Sequence, residues 1–190
     1  MTTDRMSPGS QPLRRRGVDA LWQVPVAAAL VAIAAVSVGI RPELVGFLYL
    51  ALVSSELCRT DVTQRRLPNA LVVPGYFATV IGLAFGWLRT GVPPVTAVLA
   101  GAGAFAFLLL LSAGGGMGMG DVKLGGLLGL NLGVLGVAAA VAGPTIAFVI
   151  GGLAGVVALI LPASGTRIPF GPYLLIGFWA ASALPMFGIG

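Results

Sequence analysis

The chain has 190 residues, 57% of them hydrophobic and 29 of them glycine, against 11 basic and 6 acidic residues. Soluble domains carry about a quarter charged residues, so 9% charged with a mean hydropathy of +1.01 excludes the soluble globular, disordered and collagen-like classes and leaves a membrane protein. Without histidine the chain holds no Ser/His or Cys/His catalytic arrangement and no histidine-ligated metal, and the lone Cys58 makes no internal disulfide or zinc cluster. Acid–base chemistry falls to the carboxylates. Asp4 and Asp19 lie in a polar amino-terminal segment, which leaves Glu43, Glu56, Asp61 and Asp121.

Residues 1–20 contain Arg5, Arg14, Arg15 and Arg16 among Pro, Ser and Gly, show no apolar period, and read as a flexible basic cytoplasmic tail. The apolar run 21–40 is longer than a signal-peptide core and is followed directly by a second run, which predicts a retained membrane anchor. A hydrocarbon layer takes about 20 apolar residues to cross, and charges, prolines and polar clusters mark the ends of such runs. Dividing the chain this way predicts an all-α polytopic membrane protein with about seven transmembrane helices, at residues 21–40, 44–58, 70–88, 95–111, 122–139, 141–161 and 170–187. Residues 21–190 then form one integral-membrane domain. Six spans is the alternative count, with the fifth and sixth fused or broken, and Gly143 with Pro144 argues for a break.

Basic residues flanking short loops stay in the cytoplasm. With seven spans and a cytoplasmic amino terminus, Arg5, Arg14, Arg15, Arg16, Arg59, Arg65, Arg66, Lys123 and Arg167 face inward, and Arg41 and Arg89 outward. An isoelectric point near 10.4 could otherwise mean nucleic acid. These charges, however, are spread over loop ends, so topology and anionic lipid account for them and no nucleic-acid partner is expected. Trp22, Trp87 and Trp179 lie near span ends and read as interfacial anchors.

On this threading Asp61 follows the second span and Asp121 precedes the fifth, so both reach the same membrane face. The plain alternative is that each is a solvated loop residue, with Arg59, Arg65 or Arg66 pairing with Asp61. Asp121 is harder to dismiss, because it ends a run containing Gly114, Gly115, Gly116, Gly118 and Gly120, where backbone or substrate can approach closely. A phosphate cradle there would need a preceding strand and Walker spacing, and neither is present. Gly125, Gly126 and Gly129 read as helix-contact residues. Two carboxyls close together at a low-dielectric boundary cannot both ionise cheaply and tend to share one proton, which is the chemistry of aspartic proteases. Glu56 reads as a partner of Arg59 or an interfacial group, Lys123 as a snorkelling lysine, and Arg65 and Arg66 as topology determinants.

Gly118-Met119-Gly120-Asp121-Val122-Lys123-Leu124 resembles the Gly-x-Gly-Asp-x-Lys-Leu motif of type IV prepilin peptidases. Asp61-Val62-Thr63-Gln64-Arg65-Arg66-Leu67-Pro68-Asn69 is similar to the family's first aspartate motif, and Ile168-Pro169-Phe170-Gly171-Pro172-Tyr173 to the turn that opens its last span. The resemblance implies Asp61 and Asp121 as the catalytic pair, supported by Gly118, Gly120, Lys123, Arg66, Pro68, Asn69, Pro169 and Gly171. It implies cleavage of the short basic leader of type IV prepilins or type II secretion pseudopilins, ahead of their hydrophobic stalk helix. It implies that the cut falls at the cytoplasmic face of a bacterial or archaeal cytoplasmic membrane. Beyond that substrate and the membrane lipids it implies no partner, and no cofactor or metal. Long members add paired Cys-x-x-Cys motifs associated with zinc and N-methylation; with Cys58 alone, the chain is similar to a short, peptidase-only form. A small transporter or channel component, or a catalytically silent assembly subunit, is the alternative.

Overall fold

The computed structural model describes residues 13–115, 117–160 and 169–188. Among these residues the chain is all-helical, with seven α-helices and a closing 3₁₀ turn. The helices are α1 (Leu13–Val38), α2 (Leu44–Gln64), α3 (Asn69–Thr90), α4 (Val95–Ala113), α5 (Met119–Leu135), α6 (Val137–Ile160) and α7 (Gly171–Ser182), and the turn is Leu184–Phe187. Among the described residues, α3, α4 and most of α6 are long and apolar enough to cross a membrane, and the later part of α1 and α7 with its 3₁₀ turn are shorter apolar helices. The chain is a membrane protein on these helices.

Each expected segment coincides with a helix, but three expectations need correction. First, α1 begins at Leu13, so residues 13–20, expected as tail, are helical. Leucine and arginine are good helix formers and simply extend the apolar helix backward. Residues 1–12, Gly116, residues 161–168 with Arg167 and Ile168, and residues 189–190 lie outside the described residues. Second, the break between the fifth and sixth segments is not at Gly143–Pro144, because α6 runs through both. The chain turns at Gly136 instead, whose φ of 111° and ψ of 178° belong to a region that only glycine enters readily, whereas Pro144 forfeits one backbone hydrogen bond within a continuing helix. Third, Trp179 is no interfacial anchor. It is 7% exposed, and its indole N–H donates to Ser54 Oγ at 3.0 Å, so the polar edge finds its partner inside the bundle.

At the centre is α5, buried almost all round from Val122 to Gly133. Its glycines let α4 approach closely: a Cβ on Gly129 would lie 2.7 Å from the Ala100 carbonyl oxygen, and one on Gly133 2.5 Å from Ala97 Cα. Lipid offers apolar helices no hydrophobic gain on pairing, so such close backbone packing supplies much of the association. Asn131, fully buried, donates to Thr79 Oγ1 at 2.9 Å and ties α5 to α3. On α2 the buried residues Phe47, Leu50, Ser54, Leu57 and Asp61 recur at intervals of three and four, which is one helix face. Asp61 continues the core stripe into the last turn of α2.

Candidate active site

Asp61 occupies the last turn of α2, past the apolar run, and is 4% exposed, so the solvated-loop reading does not hold for it. Arg65 ends the helix in the left-handed conformation, φ 51°, with its N–H donating to the Asp61 carbonyl at 2.8 Å. The chain then turns through buried Leu67 and extended Pro68, and α3 starts at Asn69. Asp121 is the third residue of α5, ahead of the apolar run. Its Oδ2 accepts from the Gly118 N–H at 3.4 Å, as a carboxylate at that position of a helix does, close to the positive end of the helix dipole. A Cβ on Gly120 would sit 2.9 Å from Leu67 Cβ. The bare glycine therefore lets the α2–α3 connection lie directly on the first turn of α5, and this contact draws the two aspartates together.

Asp61 and Asp121 line one cavity of about 300 Å³, together with Arg65, Arg66, Leu67, Asn69, Gly118, Gly120 and Lys123. A third element closes on Asp61: the N–H of Gly171, first residue of α7, donates to Asp61 Oδ2 at 2.9 Å. Each carboxylate is thus held by a backbone N–H at the start of a helix. Burial pushes the Asp121 carboxyl up to about 6, aided by the negative charge of Asp61 and opposed by the Gly118 N–H. Asp61 is also raised by burial, with the Gly171 N–H opposing. Asp121 Oδ1 is buried and has no hydrogen-bond partner among the described residues. A carboxyl oxygen left this way in a cavity is positioned to meet a water or a substrate group.

The other expected site residues divide. Lys123 does not turn onto a carboxylate; its Nζ donates to Asn69 Oδ1 at 3.1 Å, an exposed contact that links α5 to α3. Arg66 lines the cavity with an exposed side chain, and among the described residues neither it nor Arg65 pairs with Asp61. Pro68 stands outside the cavity and sets the entry of α3, and half-buried Pro169 leads into the Gly171 contact. Glu56 pairs with Arg59 at 2.7 Å, the plain reading expected for it. Sequence reasoning placed Gly171 in a turn motif without its partner, and missed Leu67 against Gly120. The glycine in each motif was the available signal, since neither contact leaves room for a side chain.

No curated protein and no solved structure matches this chain. The Type IV leader peptidase family matches from the first residue of α2 to the last of α7, residues 44–182, about three quarters of the chain. That span takes in every residue of the cavity as well as Gly171, and the chain belongs to the type IV leader peptidase family.

Proposed function

We propose that this peptidase is a membrane-embedded aspartic endopeptidase in which Asp61 and Asp121 form the catalytic dyad. Its substrate is a type IV prepilin or type II secretion pseudopilin, cut between a short basic leader and an apolar stalk. The reading rests on one observation: the two carboxyls line the same cavity, and the one pushed up to about 6 is raised in part by the other. The proton of the pair then resides mainly on Asp121, and Asp61, steadied by the Gly171 N–H, is the base. A water held between them attacks the scissile carbonyl carbon, and its proton passes to Asp61. Asp121 gives its proton to the carbonyl oxygen. As the tetrahedral intermediate collapses, the carbon–nitrogen bond breaks, the amine takes the proton from Asp61, and the hydroxyl returns one to Asp121.

The seven apolar runs are read as spans, with the amino terminus and the arginines at the start of α1 on the cytoplasmic side, which puts the cavity at the cytoplasmic face of the cytoplasmic membrane. The test is cleavage by the purified chain in vesicles. A prepilin whose leader is presented to the outer surface is expected to lose that leader in inside-out vesicles and to keep it in right-side-out ones, with product masses giving the cut. No cleavage in either orientation would sink the peptidase assignment to prepilins, and cleavage only in right-side-out vesicles would reverse the topology.

The pH profile tests the dyad. The active form carries one proton per pair, and that proton is lost as pH rises through about 6. The rate constant kcat/KM is therefore expected to fall above about pH 6, by tenfold per unit, and to fall again at lower pH as Asp61 takes up a second proton. A rate that climbs from pH 6 to 8 would mean that the essential acid is not this carboxyl.

A further inference from the structure

Every helix but one packs along the helix that follows it: α1 on α2, α2 on α3, α4 on α5, α5 on α6 and α6 on α7. The exception is α3 and α4, which are joined by residues 91–94 yet scarcely touch. Between them lies a cleft of about 510 Å³, on the order of one turn of a helix about 10 Å across. Its floor is Gly126 and Leu130 of α5, and its walls are Tyr76 of α3 and Val98, Ala102 and Phe105 of α4. Apart from Tyr76 and Lys123, the lining is apolar or bare. Tyr76 donates its hydroxyl to the Lys123 carbonyl at 2.7 Å, which pins the wall to the floor at one end of the cleft. Lys123 lines both this cleft and the dyad cavity, so the two lie side by side at that residue. Its Nζ is held by the Asn69 amide and has no carboxylate partner among the described residues.

We infer that this cleft receives the substrate's membrane-spanning helix, which enters sideways from the lipid between α3 and α4. The inference rests on the peptidase reading and adds to it the route and the docking surface. An apolar helix gains little from leaving lipid unless its backbone packs closely, and Gly126 with small Ala102 permits that approach. A peptide bond just ahead of such a helix lies where the helix leaves the apolar layer, and the cleft ends at Lys123, beside the dyad cavity. A lipid chain is the competing occupant.

The test places a photoreactive side chain at Ala102 or, as control, at exposed Leu153 of α6 in the Asp121→Asn chain, in vesicles containing an anchored prepilin. The expected result is a covalent prepilin adduct at 102 exceeding that at 153 by at least about tenfold. Lipid adducts alone at 102, or equal prepilin adducts at the two positions, overturn the inference. Separately, Ala102→Trp is expected to lower kcat/KM for the anchored prepilin by at least about tenfold while leaving a soluble peptide spanning the cut within about twofold. Equal effects on both substrates overturn it. Failure of the wild-type chain to cut either substrate would instead remove the peptidase reading itself, so the two failures are distinguishable.

Discussion

Asp61→Asn and Asp121→Asn are each expected to lower kcat/KM for leader cleavage by at least about 10³-fold, equivalent to about 4 kcal/mol of transition-state stabilisation. Asparagine keeps the volume of aspartate and its carbonyl oxygen still accepts from the Gly171 or Gly118 N–H, so the helix starts that hold each side chain keep their partner. What is lost is the ability to take the water's proton or to donate one to the carbonyl oxygen. Both variants are expected to remain folded and inserted. The Asp121→Asn chain should be no less stable than wild type above about pH 6, because the wild-type fold there holds an ionised carboxylate that burial disfavours. Glu43→Gln is the control. Glu43 precedes α2 at the opposite end from Asp61, about 27 Å along the helix, and its substitution should leave the rate within about twofold. Either asparagine variant retaining more than about a tenth of the wild-type rate, a deficit of only ~1.4 kcal/mol, would remove that residue from the dyad.

Gly171→Ala is expected to cost at least about 10²-fold in kcat/KM, about 2.7 kcal/mol, although no catalytic atom is changed. The new Cβ would lie 2.6 Å from Asp61 Oδ2, closer than such atoms approach in proteins, and a tight 3.1 Å from its Cγ. Asp61 is buried and sits on the inner face of α2, so it has little room to move. Relief comes by shifting the start of α7 or by turning the carboxylate, and both break the 2.9 Å hydrogen bond that steadies it. The rest of α7 keeps its buried Leu174, Leu175 and Phe178, so the chain should still fold. Gly155→Ala on α6, where an added Cβ meets nothing within 4 Å, should leave the rate unchanged. Cleavage assays with thermal melts on both variants separate loss of geometry from loss of fold. A Gly171→Ala rate within about threefold of wild type would show that the contact does not position Asp61 for the reaction.

The sequence by itself determined that the chain is helical and membrane-borne, roughly where each helix lies, and which two carboxylates to follow. Those are local properties: apolar run length sets a span, charges and prolines bound it, and a motif is read from adjacent letters. It was weaker where the outcome depends on what packs alongside. The fifth and sixth helices part at Gly136 and not at Pro144, because a proline forfeits a single backbone bond whereas the Gly136 backbone leaves the helical region outright. Trp179 is inside because Ser54, far away in sequence, offers its indole a partner. Only the tertiary structure decided that Asp61 is buried, that the start of α7 supplies its hydrogen bond, that Leu67 lies on Gly120, and that α3 and α4 stand apart. The Gly171 contact joins positions 110 residues apart, and it forms because a missing side chain lets a helix start reach a carboxylate. Close approaches of that kind are set by how helices cross, which no single stretch of sequence encodes.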